Sequence, residues 1–570
     1  MTTDPRRRAR AADATVAAVV AAVVLAPVLL ARGYVLRGDL VFVPGQPWKG
    51  AWLGLDGRVP RFVPGDAFLA AAGAVLPGDL VQKGVLLLVF VVAGCGVGLL
   101  LGSYGGVPRA AAITLYLWNP WVYERLAIGQ WGVVVGYALL PWCVLAAERL
   151  EVRDRRAWCA LVGWLGLAAV FSPASGLVAL VVVVAVLLGR RRWRNLPGVL
   201  GAGLVVNLPW IVPSLLTTSG MAAAAGQFSA FGPRAESGWG VTASVLSLGG
   251  IWKEGAVPAE RGNDVVVALS LVLTVVGLTG LRRAGRRDPG RVAGLGLAGL
   301  AAVALVLLTA VPAVASALDD LASVVPAAGL VRDSHRYLGP VALLLAVGVA
   351  GAVHWLWEQA RPGREALRAV AVLVVLAPVL ALPSLAWGLG GLWHPVHYPA
   401  EWYAVRDQLP EGRTVVLPWT GSYRGFGWDG GRAVLDPAPR FLPGEVLVDD
   451  RLLVGRRVLA SEDPLLRGVR RALDSPDAAE GLRRLGVRNV LLEKDNGAVL
   501  PDLAGSTVLH DGAGLTLVTL GGARPGRQTG DPVAWAQAVV VGVDVAVLLG
   551  WLAAVVVAAA RRAGAEPADV

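Results

Sequence analysis

Three short stretches of this 570-residue chain carry side chains suited to chemistry. The first, RGDLVFVPGQPWKGAWLGLDGRVPRFVPGDAF, holds Asp39 a few residues beyond an apolar run and Asp66 in a Pro-Gly-Asp turn. A carboxylate partly withdrawn from water holds its proton more tightly, which suits it to general-base work. Two readings stand for each: Asp39 as a base or as an interfacial carboxylate paired with Arg37, and Asp66 as a further candidate base or as an Asx-turn or helix cap. The second stretch, TLYLWNPWVYERLAIGQWG, sets Glu124 and Arg125 between two apolar runs, where ionised groups are costly unless they pair with each other or face a polar cavity. Around them, Trp118, Trp121, Tyr123 and Trp131 suit an interfacial aromatic belt and equally the wall of a sugar or isoprenoid site. In the third, LVRDSHRYLGP, Arg332, His335 and Arg336 fall within one helical turn. Two guanidinium forks and an imidazole so spaced suit a phosphate, although Asp333 would neutralise one arginine and interfacial anchoring is the plain alternative. A weaker signal, GWGVTASVLSLGGIWKEG with Trp239, Trp252 and Lys253, reads as a short segment lying on a membrane surface or as packing over helix ends.

The elements that must position these residues are membrane helices. The chain is 55% hydrophobic and only 16% charged, with a mean hydropathy of +0.61, which excludes a soluble globule. A bilayer core of about 30 Å takes about 20 apolar residues per helix. Runs of that kind predict about twelve helices, near 14–33, 80–102, 107–121, 131–147, 157–171, 173–189, 194–217, 264–281, 292–314, 338–357, 369–389 and 534–560. Those at 107–121, 157–171 and 173–189 are short, as tilted, broken or re-entrant segments are. The N-terminal RRRAR precedes an apolar run with no convincing cleavage site before Arg32 and Gly33, so it reads as an uncleaved first helix. With the N-terminus inside, six basic connections fall on the cytoplasmic side: Arg109, 148–156, 189–194, 282–291, 360–368 and 561–562. The outer side then receives the loops 34–79, 218–263 and 315–337, the turn around 122–130 and the region 390–533. This predicts a multi-pass protein of the plasma (inner) membrane with both termini cytoplasmic.

The net charge of +11 comes from these scattered clusters and not from one basic face, so nucleic acid is not an expected partner. Cys95, Cys143 and Cys159 lack metal-ligand or disulfide spacing, and no metal or other cofactor is indicated. Between 390 and 533 apolar runs shrink to strand length in RTVVLPW, RNVLLEKD, STVLHD and LTLVTL, with a hairpin turn at Asp511-Gly512-Ala513-Gly514 and a helix beginning near Ser475-Pro476-Asp477. The expected organisation is a transmembrane module over 1–389, a small extracytoplasmic α/β domain over 390–533, and a final helix with a cytoplasmic tail over 534–570. The α/β domain holds no phosphate loop or nucleophile–base signature, so it reads as a lid or acceptor scaffold.

The acidic residue after the first helix, the LWNPWVYERLAIGQWG turn, RDSHRY before a late helix and the outer α/β domain together resemble the GT-C superfamily of membrane glycosyltransferases. Among them the chain is similar to YfhO-like and actinobacterial arabinofuranosyl- or mannosyltransferase members. The resemblance implies transfer of a sugar from a polyprenyl-phosphate donor to a cell-envelope glycan or lipid acceptor, with Asp39 as base. Many members carry adjacent acidic residues in that loop, whereas here Asp39 stands alone. On this reading Arg332 and Arg336 stabilise the leaving phosphate, with His335, Arg125 and Gln130 as further contacts. A transporter or flippase of a lipid-linked precursor is the main alternative, but few ionisable residues lie near mid-membrane and no internal repeats are evident. A non-catalytic envelope scaffold is the third.

Overall fold

Backbone amides have no partner in hydrocarbon, so apolar runs of this length fold as helices. The computed structural model describes residues 4–58, 60–217, 224–455, 457–521 and 534–560. Among them, eight helices are long and apolar enough to cross a membrane: Pro5–Leu30, Gly78–Leu100, Trp131–Arg149, Trp193–Leu216, Asp264–Arg287, Pro289–Thr309, Ser334–Gln359 and Ala534–Ala559. The helices Ala366–Ala381 and Pro383–Gly391, bent by 66° where Pro383 interrupts the run, make a ninth if they form one span. The other three of the twelve expected segments, Gly106–Leu117, Arg155–Phe171 and Pro173–Gly189, have 12, 17 and 17 residues. At 1.5 Å per residue even the longer two rise only about 25 Å. The chain is a polytopic helical membrane protein.

Its basic connections meet at one end of the bundle. Arg190 pairs with Glu148 at 2.9 Å and Asp288 at 2.6 Å, Arg291 pairs with Glu148 at 2.6 Å, and Arg109 pairs with Asp13 of the first helix at 3.0 Å. The pair at 561–562 lies outside the described residues. The turn expected around 122–130 is mostly a further helix, Pro120–Ala127, because Asn119 accepts from the Val122 amide at 3.1 Å and Pro120 presets the first turn.

Beyond the bent pair, a five-stranded sheet runs in the order 507–511, 515–519, 487–493, 413–417, 446–447. Its first two pairings are antiparallel and the last two parallel. All four expected strands are present, and Asp477 caps the helix Ala478–Arg484 by accepting from the Glu480 amide at 3.1 Å. Val415, Val469, Leu482, Val490 and Val518 fill the space between sheet and helices. Short strands not expected from sequence tie this region to the first loop: Tyr34–Val35 pairs antiparallel with Pro395–Val396. Beside that junction, Tyr398, Trp402, Phe426, Trp428 and Phe441 pack ring against ring.

Candidate active site

Asp39 is held by its backbone from two sides. Its amide donates to the Ile128 carbonyl at 2.9 Å, while the Gly38 amide donates to Ala433 at 2.9 Å and the Gly38 carbonyl accepts from Leu435 at 2.8 Å. Gly38 must be glycine: its φ is +54°, and a Cβ there would stand 2.1 Å from the Ile128 carbonyl oxygen. The first loop, the turn after Pro120–Ala127 and the α/β region therefore meet at Asp39.

The carboxylate accepts a hydrogen bond from the Tyr423 hydroxyl, 2.5 Å from Oδ1. The Lys253 ammonium sits 5.8 Å from the centre of the Tyr423 ring. Burial pulls the Lys253 amine below its ordinary pKa, with Asp39 acting in the opposite sense. Burial, and then the neighbouring carboxylate, push the Tyr423 phenol well up, so it stays a donor. Arg336 lies within electrostatic reach of Asp39, and Arg61 and Arg332 within reach of Tyr423. Arg61 pairs with Asp450 at 3.0 Å, and Arg332 with Glu462 at 3.6 Å and with Gln227 at 3.1 Å. Asp39, Lys253, Arg332 and Arg336 are all partly exposed, so the group forms a half-open basin with cations on its walls.

Behind it lies a closed knot. Arg125 donates both terminal nitrogens to Asp333, at 2.6 and 3.0 Å, and one of them to Gln130 at 2.7 Å. Asp333 also accepts from Arg336 at 3.1 Å. Burial would raise the Asp333 pKa, but the Arg125 and Arg336 guanidiniums outweigh it and hold the carboxyl far below its ordinary range. His335 Nδ1 contacts Arg125, a donor that cannot accept, so the proton sits on Nε2, 3.2 Å from Glu124. Beside Glu124, Glu236 pairs with Arg261 at 2.7 Å. Burial, and then Glu236, raise the Glu124 pKa well above its ordinary value.

Several expectations are corrected here. Glu124 and Arg125 do not pair with each other, because Asp333 takes the guanidinium; and Glu124, Arg125 and His335 are all at most 1% exposed, which withdraws them from any substrate in this conformation. Only Arg332 and Arg336 of the third stretch reach the basin; the 3-10 turn Ser334–Leu338 points His335 inward. Asp66 is neither an Asx-turn nor a cap: Arg440 donates to it at 2.8 Å, and Gln46 donates to its carbonyl at 3.1 Å. Trp118, Trp121, Tyr123 and Trp131 are buried core residues and form no belt. Sequence reasoning missed Tyr423, Arg61, Glu236 and Arg261 as parts of these sites. Among the described residues no group of three or more His, Cys, Asp or Glu side chains is arranged to hold a metal.

No protein-family model matches the sequence, and no curated protein does. The fold is similar to that of the arabinofuranosyltransferase AftD from Mycobacteria, solved by single-particle cryo-EM, with a TM-score of 0.59 and 17% identity over 91% of this chain and 40% of AftD. A point mutant of AftD gives a TM-score of 0.57 and 16% identity over 91% of this chain and 42% of that one. This chain thus spans about two fifths of the AftD length. The chain thus shares its fold with an arabinofuranosyltransferase, as the expected resemblance implies.

Proposed function

We propose that this chain is a membrane glycosyltransferase that moves a sugar from a polyprenyl-phosphate donor to a cell-envelope glycan or lipid acceptor at the outer face of the plasma membrane. In this reading the termini are cytoplasmic and the region 390–533 is an extracytoplasmic domain. The observation that carries it is a half-open carboxylate, Asp39, bonded by Tyr423 and within electrostatic reach of Lys253 and Arg336 at the end of the bundle opposite its basic connections, on a fold shared with a glycosyltransferase. The acceptor hydroxyl oxygen bonds to the anomeric carbon and gives its proton to Asp39. The bond from that carbon to the phosphate oxygen breaks, and its electron pair leaves on the polyprenyl phosphate. Arg336, Arg332 and Lys253 stabilise the charge that develops there.

The test is transfer of radiolabelled sugar from decaprenyl-phosphate pentose and hexose donors to envelope material. Arg332→Gln/Arg336→Gln should lose donor affinity, and Asp39→Asn should keep affinity and lose turnover. A wild-type protein that transfers from none of these donors contradicts the reading. The assignment of sides is checked separately in a background without native cysteines. Asp474→Cys should be labelled by an impermeant maleimide in intact cells, and Arg286→Cys only after permeabilisation.

A further inference from the structure

The hydroxyl on Asp39 comes from a residue 384 positions away in the chain, and how it arrives there is specific. Tyr423–Arg424 and Val434–Leu435 form a two-stranded antiparallel ribbon in which Tyr423 faces Leu435. Gly38 adds to the same ribbon in parallel beside Val434, its amide donating to the Ala433 carbonyl and its carbonyl accepting from the Leu435 amide. Tyr423 and Asp39 therefore belong to one small three-stranded unit whose register brings hydroxyl to carboxylate. The ribbon is pinned in turn by Arg424, fully buried, which pairs with Asp436 at 3.3 Å and with Glu493 at the end of a central sheet strand at 3.1 Å.

From this geometry we propose that Tyr423 is a positioning residue of the transfer reaction: it holds Asp39 by Oδ1 and leaves Oδ2 to take the acceptor's proton. The proposal rests on the reading of Asp39 as the base. A hydrogen bond to one oxygen fixes the plane of a carboxylate, so Tyr423 holds Asp39 in a set orientation. The groups facing the carboxylate are Tyr423 from the ribbon, Lys253 from the loop before the helix Asp264–Arg287, Arg336 from the turn Ser334–Leu338, and at longer range Arg440 from the helix Ala438–Phe441. All but Tyr423 are cations, and Tyr423 is the one bonded to a carboxylate oxygen. On this account the α/β region supplies part of the reacting centre and is more than a cover for it.

Tyr423→Phe removes the hydroxyl and keeps the ring under Lys253. The variant should lose roughly 10- to 100-fold in kcat, the weight of a hydrogen bond to a charged group, with little change in KM for the donor. A residue that merely docked the α/β region would leave kcat at the wild-type value. A second readout needs no transfer: unfolding temperatures of wild type, Tyr423→Phe, Asp39→Ala and the double variant should be non-additive. Additive temperatures overturn the proposal. So does a Tyr423→Phe protein with wild-type kcat beside an inactive Asp39→Asn, a result that leaves Asp39 standing as the base. A fully active Asp39→Asn, or a wild type that transfers from no donor, overturns the reading of Asp39 and the role of Tyr423 together.

Discussion

The basin around Asp39 and the knot around Glu124 are built from the same side-chain types and share one boundary, the Arg336–Asp333 pair, yet they suit opposite tasks. In the knot every charge has an answering charge or a withheld proton, and the side chains are closed to solvent. Buried ions are tolerated only when paired in this way, and a closed ion is out of a substrate's reach in this conformation. In the basin Asp39 has one donor on one oxygen, and Arg336 and Lys253 are partly exposed. Asp66 shares a loop with Asp39 but belongs with the knot, since Arg440 closes it. What separates a candidate base from a structural acid here is access and incomplete pairing, and neither is visible in residue type.

Substitutions can break this contrast in stability before activity is measured. The largest effect is expected for Asp333→Asn, which strands the fully buried Arg125 guanidinium. Breaking a buried pair from one side costs about 3–5 kcal/mol, so thermal unfolding in detergent should fall by many degrees. Arg440→Gln should cost less, about 1–3 kcal/mol, because it removes the charged partner of Asp66 but leaves Gln46 in contact. If Asp66 then took over proton abstraction, transfer would survive Asp39→Asn in the Arg440→Gln background.

The smallest effect is expected for Glu124→Gln, within about 1 kcal/mol, since a neutral amide replaces an acid whose proton burial holds more tightly than usual. Its pH dependence carries the sign. The folded-state pKa of Glu124 is raised, so its contribution is fully present below the unfolded value and lost as pH rises above it. Wild type should therefore lose stability between about pH 4.3 and the raised pKa, and Glu124→Gln should flatten that slope. A slope unchanged by the substitution would place a charge on Glu124 and erase the distinction between knot and basin.

The helices were legible because length and apolarity are local properties: the expected 173–189 and the observed Pro173–Gly189 coincide. The strands 413–417 and 487–493 were legible for the same reason, each being a short, largely apolar run between turn residues. Asp39 stood out by its position after the first helix. Its partner did not, because nothing around Tyr423 in GSYRGFGWDGG marks a site, and the two residues meet only through a ribbon assembled from distant segments. The partner of Arg125 was hidden for a related reason. Glu124 is its neighbour in sequence, but adjacent residues on a helix point about 100° apart, and Asp333 arrives from another element.

The central claim, that Asp39 is the working carboxylate and Glu124 a structural one, is tested most directly by single-turnover sugar transfer in proteoliposomes with saturating decaprenyl-phosphate donor. Wild type, Asp39→Asn and Glu124→Gln should be compared at equal folded protein. Loss of a general base costs about 10²- to 10⁴-fold, so Asp39→Asn should fall by that factor while Glu124→Gln stays close to wild type. Normal transfer by Asp39→Asn, or an equal loss in Glu124→Gln, would contradict the account.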